Sequence, residues 1–189
     1  MQGAIKSKMI NQKVIDEIRR RINLHHELYD TKVSSTFWEE IYSKSLAACG
    51  EENDWKPDNS HRKGMDVEKK DGFKISCKSG TIEGKKEPRL VVSSHRTTTY
   101  NTIEEKVKFL SENHQDLIIS LVEIGEKRYK IFIYESPDVS SLNWCETKSG
   151  WAAENELGLY KIQRKMSDQF WFEYKLSKSQ EWCYYEVDL

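Results

Sequence analysis

Asp66 stands twelve residues ahead of Lys78 in the run Gly64-Met65-Asp66-Val67-Glu68 … Phe73-Lys74-Ile75-Ser76-Cys77-Lys78-Ser79-Gly80. A carboxylate and an ammonium brought together suit phosphodiester hydrolysis. The carboxylate oxygen holds a hard divalent cation, and the ammonium orients or deprotonates the attacking water and offsets charge on the phosphorane. The elements that must position this pair are short. Met65 to Glu68 reads as a strand, Lys70-Asp71-Gly72 has the chemistry of a turn, and Phe73 to Cys77 alternates apolar with polar or small residues. Alternation predicts that Lys74, Ser76 and Lys78 share one face while Phe73, Ile75 and Cys77 point to the core. A turn of this length sets Asp66 beside Ser76 and Lys78. Gly80 follows, as a strand glycine does where a ligand or another backbone comes close. A solvated strand-end carboxylate and a surface lysine would fit the same letters; the shared face favours chemistry.

These residues resemble the PD-(D/E)XK nuclease superfamily, whose signature is an Asp, a variable gap, and a strand carrying Asp/Glu, any residue and Lys. Here Gly64-Met65-Asp66 replaces Pro-Asp and Ser76-Cys77-Lys78 replaces Glu-X-Lys, so one carboxylate is missing from its usual place. A subgroup of type II restriction endonucleases has this same Ser-Cys-Lys variant. In it the missing carboxylate comes from a Glu in the helix after the Lys strand, and an Arg-rich element between strand and helix reads guanines. This chain offers Ser93-Ser94-His95-Arg96 and then Thr102-Ile103-Glu104-Glu105, so the resemblance spans residues 35 to 125. It implies an α/β, restriction-endonuclease-like core with a mixed central β-sheet flanked by helices. It also implies Mg²⁺ held by Asp66, the Cys77 backbone carbonyl and Glu104 or Glu105, with Lys78 and Ser76 in the catalytic strand. Glu40, on the helix before the hairpin, is the further acid it suggests.

Apolar positions Ile10, Val14, Ile18, Ile22 and Leu28 predict an amphipathic helix over 9–29. Ser34-Ser35-Thr36 caps a second helix with Phe37, Ile41 and Leu46 on its inner face. A polar loop over 50–64 carries His61, Arg62 and Lys63 into Asp66, where they can touch a DNA backbone. Leu90-Val91-Val92 opens a strand that ends at Arg96, whose planar fork suits guanine or phosphate. Its neighbours Ser94, His95 and Thr97 are donors to phosphate. Thr102 and Glu105 form a capping box, which explains Glu105 but not Glu104. Asp116 to Val122 is a central buried strand with Tyr129 to Tyr134 beside it. In the aromatic last third, strands over 160–164 and 169–174 flank a turn whose Arg164, Lys165, Ser167 and Gln169 are of the types that read bases.

The length, 189 residues, fits one domain: N-terminal helices in 1–50, a catalytic core in 60–135 and a β-rich extension in 136–189 for recognition or dimerisation. The formal net charge of −1 argues against a polybasic coat protein. The charge is uneven, with eleven Lys/Arg against six Asp/Glu from Lys56 to Arg96, and six against ten from Glu135 onward. A basic centre and an acidic tail fit a localised polyanion site. Cysteines 49, 77, 145 and 183 have neither zinc spacing nor a C-x-x-C pair. Reduced thiols, no signal-like N-terminus and no membrane-length apolar run point to a soluble cytoplasmic protein. The function expected is a type II restriction endonuclease, a homodimer that cuts double-stranded DNA with Mg²⁺ and leaves 5′-phosphates. The rivals are a structure-specific or repair nuclease of the same superfamily and a non-catalytic DNA-binding protein.

Overall fold

The computed structural model describes residues 11–51, 53–55 and 66–189. Arg62 and Lys63, with His61 and Met65, lie outside the described residues.

Helix α1 (Gln12–Leu28) starts where Asn11 accepts a hydrogen bond from the Val14 amide, which satisfies one of the unpaired donors of the first turn. Val14, Ile15, Ile18 and Ile22 make its buried stripe, continued by His25. The predicted stripe ran on to Leu28, but that residue is 75% exposed. Helix α2 (Ser35–Ala48) is capped by Ser34, as expected. Its inner face is Trp38, Ile41, Tyr42 and Leu46, with Phe37 turned outward. The shift of one residue has a polar cause: the Trp38 indole N–H reaches the Ile119 carbonyl at 3.1 Å, so the largest side chain goes inward with its donor satisfied.

Among the described residues eleven strands form one sheet: β1 (Asn53–Trp55), β2 (Val67–Lys69), β3 (Lys74–Glu83), β4 (Arg89–Arg96), β5 (Leu117–Gly125), β6 (Arg128–Glu135), β7 (Cys145–Thr147), β8 (Gly150–Glu154), β9 (Gly158–Gln163), β10 (Gln169–Lys175) and β11 (Cys183–Asp188). Their order is β11-β6-β5-β3-β4-β10-β9-β8-β7, with β2 on β3 and β1 on β2. Among the described residues only β3 and β5 pair in parallel, joined through β4 and helix α3 (Ile103–Glu112). The sheet is therefore mixed but mostly antiparallel, and the C-terminal third is β-rich. A single helical turn, α4 (Ser179–Trp182), precedes β11.

Both faces of the centre are covered. Helices α1 and α2 pack with Ile75, Cys77, Ile119 and Ile131 on one side. On the other, α3 meets Ile118, Val122 and Phe132 together with the aromatic residues Tyr160, Phe172, Tyr174 and Trp182. This explains why β5 is apolar along its length, since a strand with two covered faces has no solvent side. Among the described residues no helix is long and apolar enough to cross a membrane.

Candidate active site

Strand β3 is the element on which the site is built. One edge pairs with β5 over Ile75 to Gly80. The other edge is shared: β2 pairs at Lys74 and Ile75, and β4 pairs from Gly80 to Glu83. Between them, along Ser76 to Ser79, neither β2 nor β4 pairs with that edge, so among the described residues the ladder has a gap.

Asp66 fills one side of this gap. It stands just before β2, its amide donating to the Ile75 carbonyl at 3.1 Å, and its carboxylate turns back onto β3. Oδ2 accepts the Ser76 hydroxyl at 2.9 Å, the Cys77 amide at 2.8 Å and the Lys78 ammonium at 3.4 Å. Asp66, Ser76 and Lys78 thus meet as the hairpin reading predicted. The predicted alternation of faces also holds, with Ile75 and Cys77 in the core under α1 and α2. One correction concerns solvent: Ser76 was expected on a polar face, yet it is fully buried, because the opposite face is covered too. Its hydroxyl serves Asp66, not water.

The Cys77 backbone matters for a separate reason. In a strand, a residue's N–H and C=O leave on the same edge, alternating from residue to residue. Since the Cys77 N–H reaches Asp66, its carbonyl is directed to the same gap. A carboxylate oxygen and a carbonyl oxygen are hard donors of the kind Mg²⁺ takes, and that ion is held by one or two carboxylates and keeps several waters. The donor set at the gap fits such a cation. Lys78 keeps 22% of its side chain exposed beside it.

The remaining acids proposed for this set are placed elsewhere. Glu40 pairs with Lys44 at 2.5 Å one turn along α2 and lines the outer groove between α1 and α2 with Arg21, Leu28 and Phe37. Its side of the helix faces away from the sheet. Glu105 closes the capping box, with Oε2 accepting the Asn101 and Thr102 amides at 3.0 and 3.2 Å. Those donors hold its carboxyl below the usual carboxylate range. Glu104 is exposed, and no hydrogen bond or ion pair joins it to Asp66, Ser76 or Lys78. Among the described residues there is no group of three or more His, Cys, Asp or Glu that could hold a metal.

The two elements expected to contact DNA prove to be one. Strand β4 runs antiparallel to β3 with Gly80 opposite Val92, so Ser94 to Arg96 lie at the sheet end that holds Ser76 and Lys78. Strand β10 pairs with β4, Gln169 opposite Arg96, which brings the β9–β10 turn to the same end. Where the ladders are intact, at about 4.8 Å per strand, β10 is roughly 10 Å from β3. Arg96 donates through Nε to Gln169 Oε1 at 3.3 Å, and the Gln169 amide donates to the Ser94 carbonyl. The Thr97 hydroxyl donates to the Asp168 carbonyl at 2.8 Å. Arg96, Arg164, Lys165 and Ser167 are exposed. His95 is less available, its ring edge-on to Phe109 and its Nε2 3.0 Å from Gln115 Nε2. Arg164 lies over the Trp151 ring and pairs with Glu146. The sequence reading missed Lys106 and Asp168, which tie these elements together, because both residue types ordinarily mark solvated positions.

No family model, curated protein or solved structure matches the chain.

Proposed function

We propose that this chain is a type II site-specific endonuclease, hydrolysing double-stranded DNA in a Mg²⁺-dependent reaction that leaves 5′-phosphates. The observation that carries this reading is the gap in β3, where the Asp66 carboxylate, the Cys77 carbonyl edge and the Lys78 ammonium meet with Ser76 bracing the carboxylate. When bound there, Mg²⁺ supplies charge neutralisation and polarises a phosphate oxygen. Asp66 holds its position through three donors, so its geometry is set before substrate arrives. Lys78 orients the water that attacks phosphorus and offsets negative charge as the new P–O bond forms and the P–O3′ bond breaks. Arg96 and Lys165 contact DNA at the same sheet end. Cutting a palindromic site requires two copies related by a two-fold axis, so the active form is a homodimer.

One observation favours a second reading, a DNA-binding protein without catalysis. Ser76 occupies a position where a carboxylate would complete the acidic set, and among the described residues Asp66 belongs to no group of three or more His, Cys, Asp or Glu.

The test is to incubate the protein and its Lys78→Ala variant with long unmethylated phage DNA, with and without Mg²⁺, and resolve the products on a gel. Discrete bands from the unmodified protein with metal only, and none from Lys78→Ala, are expected. A smear would mean nuclease activity without site specificity. Intact DNA on several substrates, together with a stable gel shift, would select the binding protein.

A further inference from the structure

Lys106 lies on α3 in a charged stretch, Glu104-Glu105-Lys106, yet only 1% of its side chain is exposed. Its ammonium has three protons, and the fold supplies three acceptors. These are the Thr97 carbonyl at 2.8 Å, the Tyr100 carbonyl, and Asp168 Oδ2 at 2.9 Å. The face of Trp151 closes the cage, its centroid 5.5 Å from Nζ. A cation buried with every proton used does not reach a ligand itself. It is stable only while its partners stay in place, which makes it a fastener.

What it fastens are two segments distant in sequence. Thr97 and Tyr100 belong to the β4–α3 connection, and Asp168 belongs to the β9–β10 turn. The Thr97 amide and hydroxyl both donate to the Asp168 carbonyl, at 3.1 and 2.8 Å. Ser167 and Asp168 are successive non-glycine residues at φ 57° and 46°, a left-handed bend that costs free energy and persists where neighbours hold it. On the outside of this junction stand Arg96, Lys165 and Ser167, and no acid interrupts residues 163–167.

We propose that Lys106 is a positioning residue for DNA. By joining the β4–α3 connection to the β9–β10 turn, it sets Arg96 and Lys165 as one phosphate-contacting surface at the sheet end that holds Asp66 and Lys78. The inference rests on the reading of DNA as the ligand.

The experiment measures affinity for a duplex oligonucleotide in Ca²⁺, as a function of KCl, for the wild type, Lys106→Met, the double variant Arg96→Ala/Lys165→Ala, and the triple variant. Losing exposed phosphate contacts reduces the steepness of the fall of log affinity with log salt by about 0.9 per contact. Lys106→Met is expected to weaken binding about tenfold or more and to reduce that steepness as the double variant does. The triple variant should bind no more weakly than the weaker of the two. A Lys106→Met protein with wild-type slope and affinity would overturn the proposal, as would losses that add in full. If Lys106→Met does not fold, Asp168→Asn, which removes the charge and keeps the size, is read by the same criteria. A wild type with no salt-dependent DNA binding would overturn the DNA reading itself, and this role for Lys106 with it.

Discussion

Asp66 illustrates how much a single oxygen can be asked to do. Three donors converge on Oδ2, the Ser76 hydroxyl, the Cys77 amide and the Lys78 ammonium, and all three come from β3, whose position the core fixes. Removing one brace should loosen the carboxylate without unfolding the chain. Ser76→Ala is expected to cost about 1 kcal/mol of stability. It should slow cleavage about 10–100-fold, the usual effect of removing a hydrogen bond that orients a metal-holding group. Thermal melting and cleavage rates measured together check this, and an unchanged rate would separate Ser76 from the chemistry. Glu104 calls for the opposite experiment, because its exposed carboxylate has no structural task. If it completes the acidic set once DNA is bound, Glu104→Gln abolishes cleavage while binding in Ca²⁺ survives. Retained cleavage removes it from the site.

The helices carry their own electrostatic signatures. Glu17 in α1 accepts from Arg20 at 2.7 and 2.8 Å and pairs with Arg21 at 2.8 Å. The Arg20 hydrogen bond and the two nearby guanidinium charges hold its carboxyl from an ordinary 4.5 down to about 2. A folded pKa below the unfolded one contributes stability that is present above pH 4.5 and lost as pH falls toward 2. Glu105 acts in the same direction through its capping-box amides. Stability should therefore decline through this acid window. A Glu17→Gln variant is expected to show a shallower decline in denaturant titrations between pH 5 and about 2; an identical slope would mean that the pairs with Arg20 and Arg21 are already lost in solution. On β8, next to the edge strand β7, Gly150 has a different duty. Its φ of 144° and its close approach to the Ile162 carbonyl, where a Cβ would collide, set how β8 lies on β9.

At the scale of the molecule, the sheet is the connecting device. Its strand order carries the gap in β3, the end of β4 and the β9–β10 turn to one end, so residues from 66 to 169 face a common region. Exposed Leu24, Leu28, Tyr29 and Phe37 lie around the end of α1 and the start of α2. If the chain cuts palindromic DNA, its mass in solution should be twice 22.3 kDa. Light scattering on the eluting protein checks this, and a monomer that persists on cognate DNA would contradict the symmetric mechanism.

Much of this was legible in the letters because its causes are local. The hairpin around Lys70-Asp71-Gly72, the alternation along β3, the Ser34 cap and the Thr102–Glu105 box depend on residues a few positions apart, and period and turn chemistry report such contacts directly. So spacing alone sets Asp66, Ser76 and Lys78 together. Other features needed the tertiary structure, because their causes lie far away in the chain. Ser76 is buried because aromatic residues after 130 cover its face, and Trp38 displaces Phe37 because Ile119 offers a carbonyl. Glu40 and Glu105 were candidates by position, but a neighbouring lysine and a helix terminus engage them. Lys106 looks like any solvated lysine until β10 brings Asp168 to it across 62 residues. Spacing determines which groups share a strand face; only the packing of distant segments decides which are buried, which are paired, and which remain to meet a ligand.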